Sequence, residues 1–185
     1  KYENSSEKGG EWALSVGAFS SGTGANVSGA NRSSFVIAQA EMNTRFNHLP
    51  GTLRAYAWSN NRAQNYDGVQ RRNTGWGASA DQKVHENLTL FGRYGNHSQG
   101  FVRFDRALTV GGELEGTAWG RSADSMGLAF GSLRTSGDFR RDSLTVDGDG
   151  NGTADFGFQA SGSEKQTELY YRVKVNGNIE LSPNF

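Results

Sequence analysis

Residues able to do chemistry are densest in "LTVDGDGNGTADFGF", 144–158. Asp147, Asp149, Asn151 and Asp155 occupy positions 1, 3, 5 and 9 of a loop, with Gly152 at position 6. Calcium takes about six to eight oxygens, and loops of this spacing supply them from alternate residues. Thr153, at position 7, offers its backbone carbonyl, and the glycine permits the sharp bend. Position 12, where an EF-hand places a bidentate glutamate, is Phe158, so this is no EF-hand. The spacing predicts a structural Ca2+ held by Asp147, Asp149, Asn151, Thr153 and Asp155. Its affinity is expected to be modest, because three carboxylates act without a bidentate fourth. The competing reading is a turn that binds nothing, since Gly, Asp and Asn favour turns in any case.

Catalytic chemistry finds no comparable constellation. His48, His85 and His97 have no metal-ligand spacing, and neither a G-x-S-x-G elbow nor a Walker loop is present. A non-enzymatic protein is expected. The formal net charge is zero over 185 residues, which leaves no basic excess for nucleic acid. Cysteine is absent, and with it disulfides and thiolate chemistry. The opening "KYENSSEKGG" is polar and does not read as a signal peptide. No apolar run approaches the roughly 20 residues of a spanning helix, a test that says nothing of membrane strands.

The elements that must carry these residues are strands. Twenty-six glycines and 21 aromatic residues against two prolines favour short strands over helices. Period-2 alternation separates two faces along nearly every segment. Trp12, Leu14, Val16 and Ala18 alternate with Glu11, Ala13, Ser15 and Gly17. Leu53, Ala55 and Ala57 alternate with Arg54, Tyr56 and Trp58, and Leu88, Leu90 and Tyr94 oppose Phe91 and Arg93. Over 108–119, Leu108, Val110, Leu114 and Ala118 oppose Glu113, Glu115 and Trp119. Leu169, Tyr171, Val173 and Val175 oppose Glu168, Tyr170, Arg172 and Lys174. Further strands are predicted at 33–46, 72–83 and 122–133, with a ninth beginning near Asn178. In 33–46, Phe35 and Ile37 share a face with Gln39, Glu41 and Arg45.

Connections are of two kinds. Short ones fall at 47–51, 83–87, 120–122 and 176–178; long polar ones fall at 21–32, 61–71, 97–105 and 134–163. They alternate strictly, as expected of an antiparallel up-and-down barrel with tight turns at one rim and long loops at the other. Two architectures share the face pattern: a soluble sandwich with its apolar face inside, and a membrane barrel with that face in lipid. The soluble alternative is a calcium-dependent β-sandwich binding module, free or surface-attached.

The blocks "LPGTLRAYAWSNNRA", "GWGASADQKVHENLTLFGRYG", "LTVGGELEGTAWGRSADSMGLAF" and "TELYYRVKVNGNIELSPNF" resemble the C-terminal half of carbohydrate-selective outer-membrane porins of the OprB type. The resemblance runs in order over most of 11–185, outside the 134–163 loop. It implies a transmembrane barrel of about sixteen strands in the bacterial outer membrane, contacting lipid and passing sugars or other small neutral solutes. Eight or nine strands make about half of it, so an N-terminal half or a complementing chain is expected as partner. A barrel of eight strands alone would be filled by its own side chains. Under this resemblance Arg54, Tyr56, Trp58, Phe91, Arg93, Glu113, Glu115, Trp119, Glu168, Tyr170, Arg172 and Lys174 line the pore. Mixed charges with interleaved rings suit a neutral polar solute better than an ion of one sign. Trp12, Trp76, Tyr94 and Tyr171 are expected in interfacial belts. A polysaccharide-export barrel would have the same architecture. The calcium loop resembles the D-x-D-x-[DN]-G-x-x-D loops of dockerins and thrombospondin repeats, and 134–163 is expected to be external.

Overall fold

The computed structural model describes residues 2–6, 9–20 and 35–184. Ten strands form one sheet in strict sequence order, every neighbour antiparallel. They are β1 (Tyr2–Ser6), β2 (Gly9–Phe19), β3 (Phe35–Phe46), β4 (Leu49–Gln64), β5 (Gln70–His85) and β6 (Leu88–Gln99). β7 (Phe104–Glu115), β8 (Ser125–Thr135), β9 (Ser163–Lys174) and β10 (Glu180–Leu181) complete it. Among the described residues β1 and β10 are edges, and the sheet is open. β1 has no counterpart among the expected strands, and the predicted 21–32 connection lies outside the described residues.

Two of the long loops are shorter than their polarity implies. β4 and β5 are each 16 residues long and leave only 65–69 between them, and 100–103 suffices between β6 and β7. A hairpin with water on both faces needs no apolar alternation, so polar sequence there hides strand. The excursion at 136–162 is long as predicted, and it contains a short helix α1 (Gly137–Asp142). At the opposite rim the turn after β3 has positive φ at Asn47 (47°) and His48 (64°), the conformation of a tight two-residue hairpin turn. The turn after β7 runs longer than predicted, through a 3-10 turn at Gly116–Trp119.

The two faces separate as the alternation requires. Leu53, Ala55 and Ala57 are exposed while Arg54, Tyr56 and Trp58 between them are half-buried by their neighbours. The apolar face is uncovered: Val16 is 74% exposed and Leu128 56%. Buried apolar residues among those described are few, namely Ala13, Phe139 and Ala160. A soluble sandwich would instead cover its apolar face with a second sheet.

Candidate functional site

The polar face is organised by charges that meet across strands. Glu41 of β3 accepts from Arg54 Nε at 2.7 Å, and Asp81 of β5 accepts from Arg54 Nη1 at 2.7 Å. Arg93 of β6 follows, 3.6 Å from Asp81. These four residues form a rung of alternating sign across β3 to β6, Glu41 directly opposite Arg54 and Asp81 two residues away in register from Arg54 and Arg93. Arg93 also lies over the Phe91 ring, 4.9 Å from its centre. A second group spans β5 to β10. Lys83 meets Glu115 at 2.8 Å, Tyr170 donates to Glu113, and Arg172 lies 3.6 Å from Glu113 and 3.8 Å from Glu180. Within both groups each charge has a neighbour of opposite sign; the first group sums to zero and the second carries one negative charge in excess.

Of the predicted lining residues, Arg54, Tyr56, Trp58, Phe91, Arg93, Glu113, Glu115, Glu168, Tyr170 and Arg172 share this face by register. Lys174 closes β9 opposite Glu180 and is exposed. Trp119 falls elsewhere. Its strand ends at Glu115, and its indole Nε1 donates to the Tyr171 hydroxyl at 3.0 Å, on the side of the sheet opposite Tyr170. Glycines at 116 and 120 let the chain leave the strand there, so period 2 does not extend to the tryptophan. Glu41 and Asp81 share this face too, although the strand pattern alone did not single them out. Glu41 lies directly opposite Arg54 and Asp81 two residues along from it on the same face, a relation readable only once the register is known.

The Trp119–Tyr171 contact belongs to a rim cluster built around Asp124, which is 3% exposed. Its carboxylate accepts from Arg121, from the Tyr171 hydroxyl at 2.8 Å and from the Lys174 amide at 3.0 Å. The Arg121 guanidinium foremost, against the cost of burial, holds this carboxyl down to about 2, from an ordinary value of 3.8. A depressed carboxyl stabilises the fold above its unfolded pKa and loses that contribution as pH falls through the folded one. Rim order is therefore expected to be full above about pH 4 and to fall away towards pH 2, followed by Trp119 fluorescence; Asp124→Asn is expected to remove that acid transition. An acid transition unchanged in the variant would refute the assignment. On the apolar face Trp76 and Tyr94 meet 5.5 Å apart, and the next outward row, Ser59 and Thr74, is polar.

At the opposite rim the connections 65–69, 100–103 and 136–162 pack into one cap. Tyr66 donates to Asp142 at 2.8 Å, and its amide donates to the Phe101 carbonyl at 3.1 Å. Burial, first, and the Asp142 carboxylate raise the Tyr66 pKa; Tyr66 and then Arg141 lower that of Asp142. Phe139, 3% exposed, lies 5.1 Å from the Tyr66 ring and 4.8 Å from Phe156. Ser136 caps α1 by accepting from the Phe139 amide and ties it down by donating to the Val102 carbonyl at 2.6 Å.

The predicted calcium residues ride on this cap. Carboxylate oxygens of Asp147, Asp149 and Asp155 lie within 4.8 Å of one another. Asp147 accepts from the amides of Gly150 (2.8 Å), Asn151 (3.1 Å) and Gly152 (2.7 Å). Those amides, Gly152 foremost, lower its pKa. Asp155 accepts from the Gly148 amide at 2.8 Å, and Thr153 donates to Asn151 Oδ1. Gly68, at φ +74°, sits so close to the Gly148 carbonyl that a side chain there would collide with it.

One meandering antiparallel sheet with one apolar face, one cross-paired polar face and loops gathered at one rim has the architecture of part of a β-barrel of the porin class. Residues 4–185 match the model of the carbohydrate-selective porins, OprB family, and the chain belongs to that family. The match includes the 136–162 loop. Among solved structures the chain is similar to OprB of Pseudomonas putida, in a structure determined at high pH, with a TM-score of 0.74 and 19% identity. That likeness covers 98% of this chain and 51% of the other, so this chain spans about half the length of that relative. No curated protein matches in sequence.

Proposed function

We propose that this chain forms about half the wall of a non-enzymatic outer-membrane channel through which sugars and similar neutral solutes diffuse. The observation that carries the reading is the charge arrangement on the polar face. Arg54 is answered by Glu41 and Asp81, and Arg172 by Glu113 and Glu180. With Arg93 and Lys83 counted, the paired surface is within one charge of neutral; it repels neither ion sign strongly and offers hydroxyl-bearing solutes both donors and acceptors. Family membership supports the same reading. The uncovered apolar face suits lipid, and the remainder of the barrel is the expected partner along the open edges of β1 and β10. The intact protein in a planar bilayer is expected to conduct, and sugar added to one side to reduce the ion current. Silence in the bilayer, with the protein folded, would end this proposal.

The cap loop is proposed to take calcium as a structural ion. Support comes from the convergence of the Asp147, Asp149 and Asp155 carboxylates, with Asn151 and Thr153 at the sequence positions from which such loops supply further oxygens. The ion would replace mutual repulsion of three carboxylates by attraction to a common centre. Calcium is expected to slow proteolysis within 136–162, and Asp147→Ala with Asp149→Ala to abolish that protection. Equal cleavage rates with calcium and with chelator in the unaltered protein would show that the loop is only a turn.

A further inference from the structure

Four aromatic residues of the polar face each lie across a glycine of the adjoining strand, directly opposite in register. The pairs are Tyr56 with Gly77, Trp58 with Gly75, Phe91 with Gly111, and Tyr170 with Gly127. A Cβ built on Gly75 would stand 2.7 Å from the Trp58 ring, and one on Gly111 2.5 Å from Phe91; at Gly77 and Gly127 the approach to the tyrosines is closer still. No methyl fits beneath any of the rings. Two of them use the room to cross a whole strand. Trp58 of β4 passes over β5 to His97 of β6, with ring centres 5.3 Å apart. Tyr170 of β9 passes over β8 so that its hydroxyl reaches Glu113 of β7. The pattern is not a general consequence of glycine in this sheet. Gly131, on the same face of β8 as Gly127, has only the Gln166 carbonyl nearby at 3.9 Å, and Gly95 has nothing within 4 Å.

We propose that Gly75, Gly77, Gly111 and Gly127 are size-determining positions of the channel. By giving Trp58, Tyr56, Phe91 and Tyr170 space to lie along the wall, they keep these rings out of the path. This rests on the reading of the polar face as a pore lining. The physical argument is one of least resistance. The strand backbone is fixed by hydrogen bonds on both sides, whereas an aromatic side chain has other staggered rotamers open to it. A methyl under the ring therefore turns the ring into the lumen, where water offers no steric opposition. The glycines act as positioning residues; the rings are what a solute meets.

Gly127 isolates the effect, because its three nearest atoms all belong to Tyr170, whereas at Gly75, Gly77 and Gly111 a backbone carbonyl is also close. The experiment compares Gly127→Ala, Gly131→Ala, Tyr170→Ala and the double variant Gly127→Ala/Tyr170→Ala in the intact protein. Single-channel conductance is read in planar bilayers, and the size limit is read by liposome swelling with glucose, maltose and maltotriose. Gly127→Ala is expected to lower conductance by about a third to a half and to slow the largest sugar most, with Gly131→Ala unchanged. The double variant is expected to return to or exceed the original conductance, since no ring remains to be displaced. A merely structural glycine would predict the opposite: a double variant as impaired as the single one. Unchanged conductance in Gly127→Ala, or no recovery in the double variant, overturns this inference while leaving the porin reading intact. If the unaltered protein does not conduct, it is the porin reading that fails.

Discussion

Replacing Arg54 with Met is expected to make the channel prefer cations. Arg54 stands between Glu41 and Asp81, with a nitrogen 2.7 Å from each carboxylate. Its removal leaves two negative groups facing each other across the space of one guanidinium. Their mutual repulsion there is about 1–3 kcal/mol, between the limits set by bulk water and a partly screened protein surface. All three side chains are about one-third exposed, so water and mobile ions reach the rung. The rung of Glu41, Arg54, Asp81 and Arg93 carries no net charge; with Met at 54 it carries one negative charge. The potassium-to-chloride permeability ratio, read from the reversal potential across a salt gradient, is expected to rise by about threefold or more at low salt. Sugar inhibition of the current is expected to weaken as well, because a forked donor is lost. Arg54→Met combined with Asp81→Asn restores the charge balance and is expected to restore the original selectivity. A reversal potential that does not move in the single variant would mean the rung lies off the conduction path.

The largest effect on stability is expected at Phe139. It is the large apolar residue buried in the cap, in edge contact with Phe156 and against Tyr66 from the neighbouring hairpin. Truncation of such a side chain to Ala costs about 3–5 kcal/mol, the lost transfer of the ring plus the cavity it leaves. The remaining ties of the cap are a few hydrogen bonds, among them Tyr66 to Asp142 and Ser136 to Val102. Each contributes about 1 kcal/mol, which does not offset that loss. The cap is therefore expected to open while the sheet, held by its own ladders, stays formed. Proteolysis within 136–162 is expected to accelerate by at least about tenfold in Phe139→Ala, with the heat-resistant barrel mobility on gels unchanged. Phe139→Leu, which keeps most of the volume, is expected to lie close to the original. Joint loss of cap and barrel would show that the two are one cooperative unit.

The alternation of side chains by itself determined which residues share a face. In "GTLRAYAW" the pleat sends Arg54, Tyr56 and Trp58 one way and Leu53, Ala55 and Ala57 the other, whatever the rest of the chain does. That is a local consequence of strand geometry, and it sufficed to place eleven of the twelve expected lining residues on one face within strands. The same local reasoning failed where the outer face also meets water. The ends of β4 and β5 are polar on both sides, and only their mutual hydrogen bonds make them strand rather than loop. It failed again at Trp119, where a glycine-bounded 3-10 turn interrupts the alternation.

Partnership was a matter for tertiary structure alone. Nothing local in Glu41 or Asp81 points to Arg54, because their pairing depends on the registers of two hairpins, each set by its own turn. The cap is of the same kind: Tyr66, Phe101 and Phe139 are far apart in sequence and meet because antiparallel strands return all three connections to one rim. The glycines beneath the rings carry no side chain to signal a role. Only the position of Tyr170 across the strand shows what Gly127 leaves room for.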